Sequence, residues 1–517
     1  MKRRAVWLVL TLAFLLVGTA LFGAGAKETT RAPASLTVEV FDRGQGDATN
    51  NVITDWIKEH VLAAENIAVE FYPIPRNQEV DGLNVHMAAG DAPDIVFTYN
   101  VATWQGYANQ GGLIDLGPAL KQYGQDILTT FGEPHMKLGQ LAGVQWTVPG
   151  MRPIAANFSG FIRKDWLDAL GLGVPQTVDE FYRALVAFKQ NDPGKVGKNK
   201  VIPFGLSNYE PNPTWGIRMI MEAFREPMSE RDRAIYMEPA WTWPGTKEAL
   251  RVVNKAYNEG LISPDFALDT QTDSQINRDL SAGIVGSLIG NYNLVYRTDY
   301  AISQTLAKNV PGGHFVPFDA FPNKNGNHPK VIQNTNSFFI FTPSFSKAAE
   351  TAIRYLNWMI DPAVIKVVHN GFEGVHYTKE IDGIPQGLIP TDQLKTNEIF
   401  NKYDIGIISQ PPQFGDPVIN AKAESLAYPG FEAEVQEAIR IAMNDGVLNY
   451  NFQSPRPIEG QIGSSLIPYD GQIFVKSITC KPAEFDSVYD SLVKEWLDAG
   501  AQKVMDERRT LYDKENK

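Results

Sequence analysis

A single cysteine, Cys480, stands in this sequence of 517 residues. One thiol forms no intramolecular disulfide and no CxxC metal or redox pair. It also leaves no cysteine near the N-terminus, so no lipid anchor is expected by that route. In the run IFVKSITCKPAEF it reads as an ordinary packed or edge-strand residue. The seven histidines show no H-E-x-x-H or other paired metal spacing, which argues against a zinc enzyme. No G-x-S-x-G elbow is present, and no Walker loop, so neither that hydrolase chemistry nor an ATPase is indicated. Positive charge is scarce: 47 Lys and Arg stand against 59 Asp and Glu, a formal charge of −12. Nucleic-acid binding needs basic patches to meet phosphates, so this balance argues against it. A carboxylate pair for glycoside hydrolysis can always be chosen from so many acids, and no glycosidase motif supports one. A long apolar run occurs only once, at the very start.

That run carries a plan. Lys2, Arg3 and Arg4 precede the apolar stretch Ala5 to Phe22, and Ala24-Gly25-Ala26 follows. This is the order of a secretory leader, 1–26, with small residues at the cleavage site. A retained membrane anchor is the competing reading, because the stretch is about long enough to span a bilayer. Cleavage leaves about 490 residues from Lys27, enough for two domains or more, with a charge of −15. A soluble periplasmic or secreted chain is expected.

The organising stretch is FIRKDWLDALGLGVPQTVDEFYRALVAFKQNDP, Phe161 to Pro193. Trp166, Leu167 and Leu170 recur at helical spacing until Gly171, a residue that accepts the left-handed conformation ending helices. Thr177 and Glu180 have capping-box spacing for a second helix. Phe181, Leu185 and Phe188 form its buried stripe, and Asp192-Pro193-Gly194 ends it.

Upstream, Leu36 to Phe41 alternates as a strand. Ile53, Trp56, Ile57, Val61 and Ala64 make a helical stripe, and Ile67 to Tyr72 is a second strand. This β-α-β order predicts an α/β lobe with a largely parallel sheet. In MAAGDAPDIVFTYN, Met87 to Asn100, a turn feeds a short buried strand, Ile95 to Thr98. Ligands in open α/β sheets sit beyond the carboxyl ends of strands, which makes Tyr99, Asn100 and Trp104 candidate site residues. Core packing explains Trp104 equally well. Tyr209 and Trp215 lie in YEPNPTW, an aromatic, Pro- and Asn-rich loop. Trp241 and Trp243 read as local packing. Ser346 is expected to cap a helix ended by Asp361-Pro362. Gly371-Phe372-Glu373-Gly374-Val375-His376-Tyr377 follows, with Glu373 expected to satisfy backbone N–H groups. A helix over Phe431 to Met443 and one long amphipathic helix, Phe485 to Tyr512, close the chain.

Three of these motifs carry a resemblance: RKDWLDALGL-VPQTVDEFYRAL-AFK, A-G-D-x-P-D-(I/V) and G-x-E-G-x-H-Y. On them the chain resembles the extracellular solute-binding proteins, family 1, of ABC importers. The nearest group is the long oligosaccharide-binding branch that also holds alginate- and pectin-fragment binders. The resemblance implies an α/β fold of periplasmic-binding-protein type II, with two discontinuous lobes, a hinge and an interlobe cleft. Lobe 1 is expected over 34–155 plus 337–400, and lobe 2 over 156–336 plus 401–517. Arg152 and Asn157 on the first crossing, and Asn336 on the return, then fall near the cleft. Maltose-type binders have A-x-x-x-x-G ahead of a stacking aromatic, and the match at Ala282 to Tyr292 implies a stacking Tyr292 beside a hydrogen-bonding Asn291.

The implied function is that of a non-enzymatic binding component, most simply a monomer. It captures a small solute, an oligosaccharide first of all, by hinge closure and hands it to the permease subunits. A peptide or other polar-solute binder, a receptor-coupled sensor and a secreted carbohydrate-active enzyme are the alternatives. Many relatives hold Ca²⁺ in the loop after the organising helices. Here the loop reads DPGKVGKNKVIP, and lysines in place of oxygen ligands imply no metal there. No cofactor is expected.

Overall fold

The computed structural model describes residues 32–44, 46–152, 154–208, 212–269, 275–297, 300–333, 336–409 and 416–517. The expected leader, 1–26, and the candidate Tyr209 lie outside them.

The chain opens as expected, with β1 (Ala34–Asp42), α1 (Val52–Glu65) and β2 (Ile67–Pro75). Asn51 starts α1: its Oδ1 accepts the Ile53 and Thr54 N–H groups, and Thr54 Oγ1 accepts the Asn51 N–H at 2.9 Å. That box satisfies donors left free at the helix start. Ile53, Ile57 and Val61 are buried under β1 and β2, whereas Ala64 faces out. Next come α2 (Glu79–Ala89), β3 (Val96–Thr98), α3 (Val101–Asn109) and β4 (Val148–Met151). The chain then crosses to β5 (Phe158–Arg163), α4 (Lys164–Ala169), α5 (Val178–Asn191), β6 (Ile202–Gly205), β7 (Val285–Asn291) and β8 (Phe315–Phe318). It returns through β9 (Asn336–Phe341) to α6 (Ala349–Met359) and α7 (Pro362–Asn370).

β1 and β2 pair in parallel, and a parallel bridge from Val38 to Ile95 adds the β3 segment. β9 runs antiparallel to both β3 and β4. So β1, β2, β3 and β4 all point the same way. In the second lobe the order is β8-β5-β7-β6, with β6 and β7 parallel and β5 reversed between β8 and β7.

Each lobe has its own core. The first gathers Leu36, Val38, Ile57, Phe97, Phe338 and Leu356, together with Ile405, Ile407 and Ile408. The second gathers Phe158, Trp166, Phe181, Phe188 and Trp496. Residues 405–408 thus pack past the expected boundary at 400, where the Met151 N–H donates to the Ile408 carbonyl at 2.9 Å.

The organising stretch folds as read, with one difference. Thr177 Oγ1 accepts the Glu180 N–H, but the Glu180 carboxylate reaches the Gln176 N–H at 2.8 Å rather than that of Thr177. In the following loop the Asp192 carboxylate accepts the Val196 and Gly197 N–H groups. Ser346 sits two residues too early to be the N-cap of α6, which is Ala348. Its hydroxyl accepts the Ala348 N–H and donates to Asp94 at 2.7 Å. Glu373 is exposed, and the buried ring of His376 does the work expected of it. His376 Nδ1 accepts the Phe372 N–H, and Nε2 lies 3.0 Å from the Glu398 carbonyl.

Two features of the C-terminal part differ from expectation. A 23-residue helix, α8 (Pro457–Thr479), contains Pro468 and three glycines, the residues that hide its period. Cys480 follows α8 as its C-cap and packs against the second core, the first of the two readings given for it. Asn254 Nδ2 donates to the Ser477, Ile478 and Cys480 carbonyls there, satisfying acceptors left free at a helix end. The last helix is two, α9 (Phe485–Trp496) and α10 (Gln502–Glu515), because Gly500 at φ 126° interrupts it.

On α8, Asp470 accepts the Trp241 indole N–H at 2.7 Å. Burial pushes this carboxyl up to about 7 against the pull of that bond. Unfolded, it ionises near about 3.9, so the folded state loses stability as pH rises from about 4 to about 7. Asp470→Asn keeps an oxygen for the indole. It is expected to add on the order of 2 kcal/mol at pH 8 and little at pH 4. Urea unfolding at both pH values checks this, and an equal gain at both contradicts it.

Candidate functional site

The carboxyl ends of parallel strands converge on one edge of the first lobe, and the residue after each is large and polar. β1 is followed by Arg43, β2 by Arg76, β3 by Tyr99 and β4 by Arg152. Tyr99 rests between Phe338, at 4.4 Å between centroids, and the Arg76 guanidinium, 5.0 Å from its ring. Arg43 pairs with Asp404 through two bonds of 2.5 and 3.0 Å. Arg76 pairs with Glu79 at 2.6 Å, and Glu79 also accepts the Thr98 hydroxyl and the Tyr99 N–H. Arg152 makes no ion pair among the described residues, and its Nε is buried with no partner there.

The carboxylates lie beneath and the guanidinium groups above. Asp404 is 0% exposed and Glu79 7%, whereas Arg43 and Arg76 keep 33% and 37%. Glu39 is buried below them, accepting the Phe97 N–H at 3.1 Å. Burial pushes its carboxyl well up, toward the neutral form. Burial also raises the Tyr99 phenol, with Asp404 adding to the effect and Arg152, Arg43 and Arg76 opposing it.

The second lobe carries amides at its own strand ends. Asn291 ends β7, Asn293 follows it, and Asn208 follows β6. The crossing segments run side by side: the Gln333 N–H donates to the Ala155 carbonyl at 2.9 Å, and Asn157 Nδ2 to the Val331 carbonyl at 3.3 Å. The Oδ1 atoms of Asn157, Asn208, Asn291, Asn293 and Asn336 are buried with no hydrogen-bond partner among the described residues. Buried polar atoms are ordinarily satisfied, so these amide oxygens are acceptors that water or a polar solute can use. Trp215 is half-buried beside it, edge-on to Phe158 at 5.6 Å. Arg297 brings a cation from the second lobe near Arg43.

The sequence candidates therefore divide. Tyr99, Arg152, Asn157, Trp215, Asn291 and Asn336 belong to this region. Asn100 is exposed but spends its side chain capping α3, accepting the Thr103 N–H at 3.1 Å. Trp104 is 0% exposed in a core with Phe339, 5.5 Å away, and presents no ring face to a ligand. Tyr292 is buried as well, and its hydroxyl donates to Glu424 at 3.0 Å. It turns inward because the residue after Asn291 alternates to the other face of the strand end. Tyr292→Phe is expected to cost about 1–2 kcal/mol of stability and leave ligand affinity unchanged. Thermal unfolding with titration calorimetry checks it, and a tenfold affinity loss would restore Tyr292 to the site. Sequence reasoning missed Arg43, Arg76, Arg297, Asn208 and Asn293. The carboxyl-end rule that selected Tyr99 points equally to Arg43 and Arg76.

A cleft with one cationic, aromatic wall and one amide wall can hold a polar solute by hydrogen bonds and ring stacking. No group of three or more His, Cys, Asp or Glu suited to a metal occurs among the described residues. The chain is 27% identical over 322 residues to lipoprotein LipO of Bacillus subtilis, matching 60% of this chain and 61% of that protein. It is 25% identical over 338 residues to the polygalacturonan/rhamnogalacturonan-binding protein YtcQ of the same organism, matching 61% of this chain and 62% of the relative. The chain thus spans less than two thirds of the length of either relative. The crystal structure of the alginate-binding protein AlgQ2 superposes with a TM-score of 0.68 at 19% identity, covering 94% of this chain and 99% of the other. That likeness establishes the two-lobed periplasmic-binding-protein type II fold. The model of the bacterial extracellular solute-binding proteins matches residues 50–366, which run from α1 through both crossings into α7, and the chain belongs to that family.

Proposed function

We propose that this protein is the solute-capturing component of an ABC importer and takes an oligosaccharide into the cleft between its lobes. The observation that carries this reading is the set of amide oxygens on and near the crossings that have no partner among the described residues, together with Trp215 and Tyr99. Sugar hydroxyls need many donors and acceptors at short range, while an aromatic face covers the C–H face of the ring. The lobes comprise 32–155 plus 337–409 and 156–336 plus 416–517, with 401–409 moved to the first because its core holds Ile405 to Ile408. Each lobe contributes half of the contacts, so ligand favours the closed form through its greater affinity for it.

The protein acts outside the cytoplasm as a monomer, and its partners are the sugar and the permease subunits. No helix among the described residues is long and apolar enough to cross a membrane. The names of YtcQ and AlgQ2, a polygalacturonan binder and an alginate binder, support a carbohydrate. Bond cleavage forms no part of the proposal, so oligosaccharide is recovered intact after long incubation.

Thermal unfolding against oligosaccharides, amino acids and peptides tests the reading. A ligand that binds only the folded state at about 100 times its Kd adds about 2.7 kcal/mol. A saturable rise with a sugar is expected, and Trp215→Ala is expected to weaken it about tenfold. A rise with peptides alone overturns the carbohydrate assignment.

A further inference from the structure

The protein is acidic as a whole, at −12, yet the first-lobe wall of its cleft is lined by guanidinium groups. Arg43, Arg76 and Arg152 stand at the carboxyl ends of β1, β2 and β4, around the ring of Tyr99. Their counter-ions are sunk beneath them: Asp404 and Glu79 hold Arg43 and Arg76 from the protein side. What remains open to the cleft is cationic. Among the described residues Arg152 has no carboxylate partner, and its Nε is buried with no hydrogen-bond partner. Taking a guanidinium partly out of water without an anion is costly, and the planar fork of arginine matches a carboxylate or sulfate through two parallel bonds. For a neutral sugar, amides like those of the second lobe suffice.

We propose that the cleft selects a sugar bearing an anionic group, a uronate carboxylate or a sulfate ester, which seats on the Arg152 guanidinium with Arg43 and Arg76 beside it and Arg297 facing it from the second lobe. This rests on the carbohydrate reading above and adds the ligand's charge. Arg43 and Arg76 are held in place before the ligand arrives, so their ordering is not charged to binding. The local positive field also draws an anion into an otherwise acidic molecule.

Titration calorimetry on the intact protein decides it. The probes are trisaccharides of galacturonate, mannuronate and glucuronate, each beside its methyl ester, which keeps the rings and removes the charge. Galactotriose and its sulfated form complete the set. At least one acid is expected to bind about tenfold or more tighter than its neutral counterpart, with the gap narrowing as NaCl is raised. The uronates and the sulfated sugar separate the two anion sources. Arg152→Gln is expected to lose about tenfold for the acid and little for neutral sugars, and Arg152→Lys, which keeps the charge but not the fork, to fall between. Esters or galactotriose binding as tightly as the acids would overturn this inference and leave the carbohydrate reading standing. Binding of peptides but of no sugar would overturn both.

Discussion

Glu222→Ala is expected to destabilise the second lobe by about 3–5 kcal/mol, among the largest effects of any single substitution. The Glu222 side chain is 2% exposed and serves two guanidinium groups, accepting from Arg225 at 3.0 Å and from Arg233 at 3.2 Å. Arg225 is itself buried and also donates to Thr246, Pro239 and Glu238. Glu238 in turn takes Arg218. Three cations therefore share two carboxylates, and removing one leaves buried positive charge with half its compensation. Denaturant unfolding measures the loss, and a change below about 1 kcal/mol would mean that water reaches these groups. The same network sets a pH dependence. Burial works against the Glu238 carboxylate, but Arg218, Arg225 and Arg233 prevail and hold it down at about 2. Its contribution is fully present above about pH 4.5 and is lost as pH falls toward 2.

Trp166→Ala is expected to cost a similar amount, about 3–5 kcal/mol, through a different mechanism. Trp166 is 0% exposed at the centre of the second core. Phe188 meets it edge-on at 5.2 Å, and the Arg163 guanidinium lies 4.9 Å from its ring. Gly194 and Gly286 press against the ring so closely that an added Cβ would stand 2.7 and 2.9 Å from it. The wall is built to the shape of an indole, and alanine leaves a cavity that the backbone at those glycines closes only in part. The complementary change, Gly194→Ala, overfills the same place and is expected to cost about 1–3 kcal/mol. Urea unfolding of both variants tests the fit. If Trp166→Ala loses less than about 1 kcal/mol, the site collapses around the smaller residue.

How far the sequence was legible follows from the range of the forces involved. The Thr177 cap of α5, the stripe of Phe181, Leu185 and Phe188 and the parallel pairing of β1 with β2 depend on neighbours a few residues apart or on simple alternation. They read directly. α8 did not, because Gly460, Gly463, Pro468 and Gly471 weaken helical propensity locally. Packing of Leu466, Ile473, Phe474 and Ile478 into the second core overrides it. The site divided along the same line. Placing Tyr99 beyond β3 needed only the strand and the rule for strand ends. Trp104 and Tyr292 failed as ligand platforms because an aromatic near a strand end has two faces available, and the sequence does not say which is covered.

By itself, then, the sequence determined the local elements, the order that makes two α/β lobes and the family motifs, since helix periods, caps and turns are set by residues close along the chain. Only the tertiary structure decided which polar groups face one another. Arg43, Arg76, Tyr99 and Arg152 are far apart in sequence and become one wall because four strands run in the same direction. Asp404 becomes the counter-ion of Arg43 across 361 positions of chain because the return segment packs into the first core. Burial and pairing of charge are properties of that assembled surface, with no periodicity along the chain to reveal them.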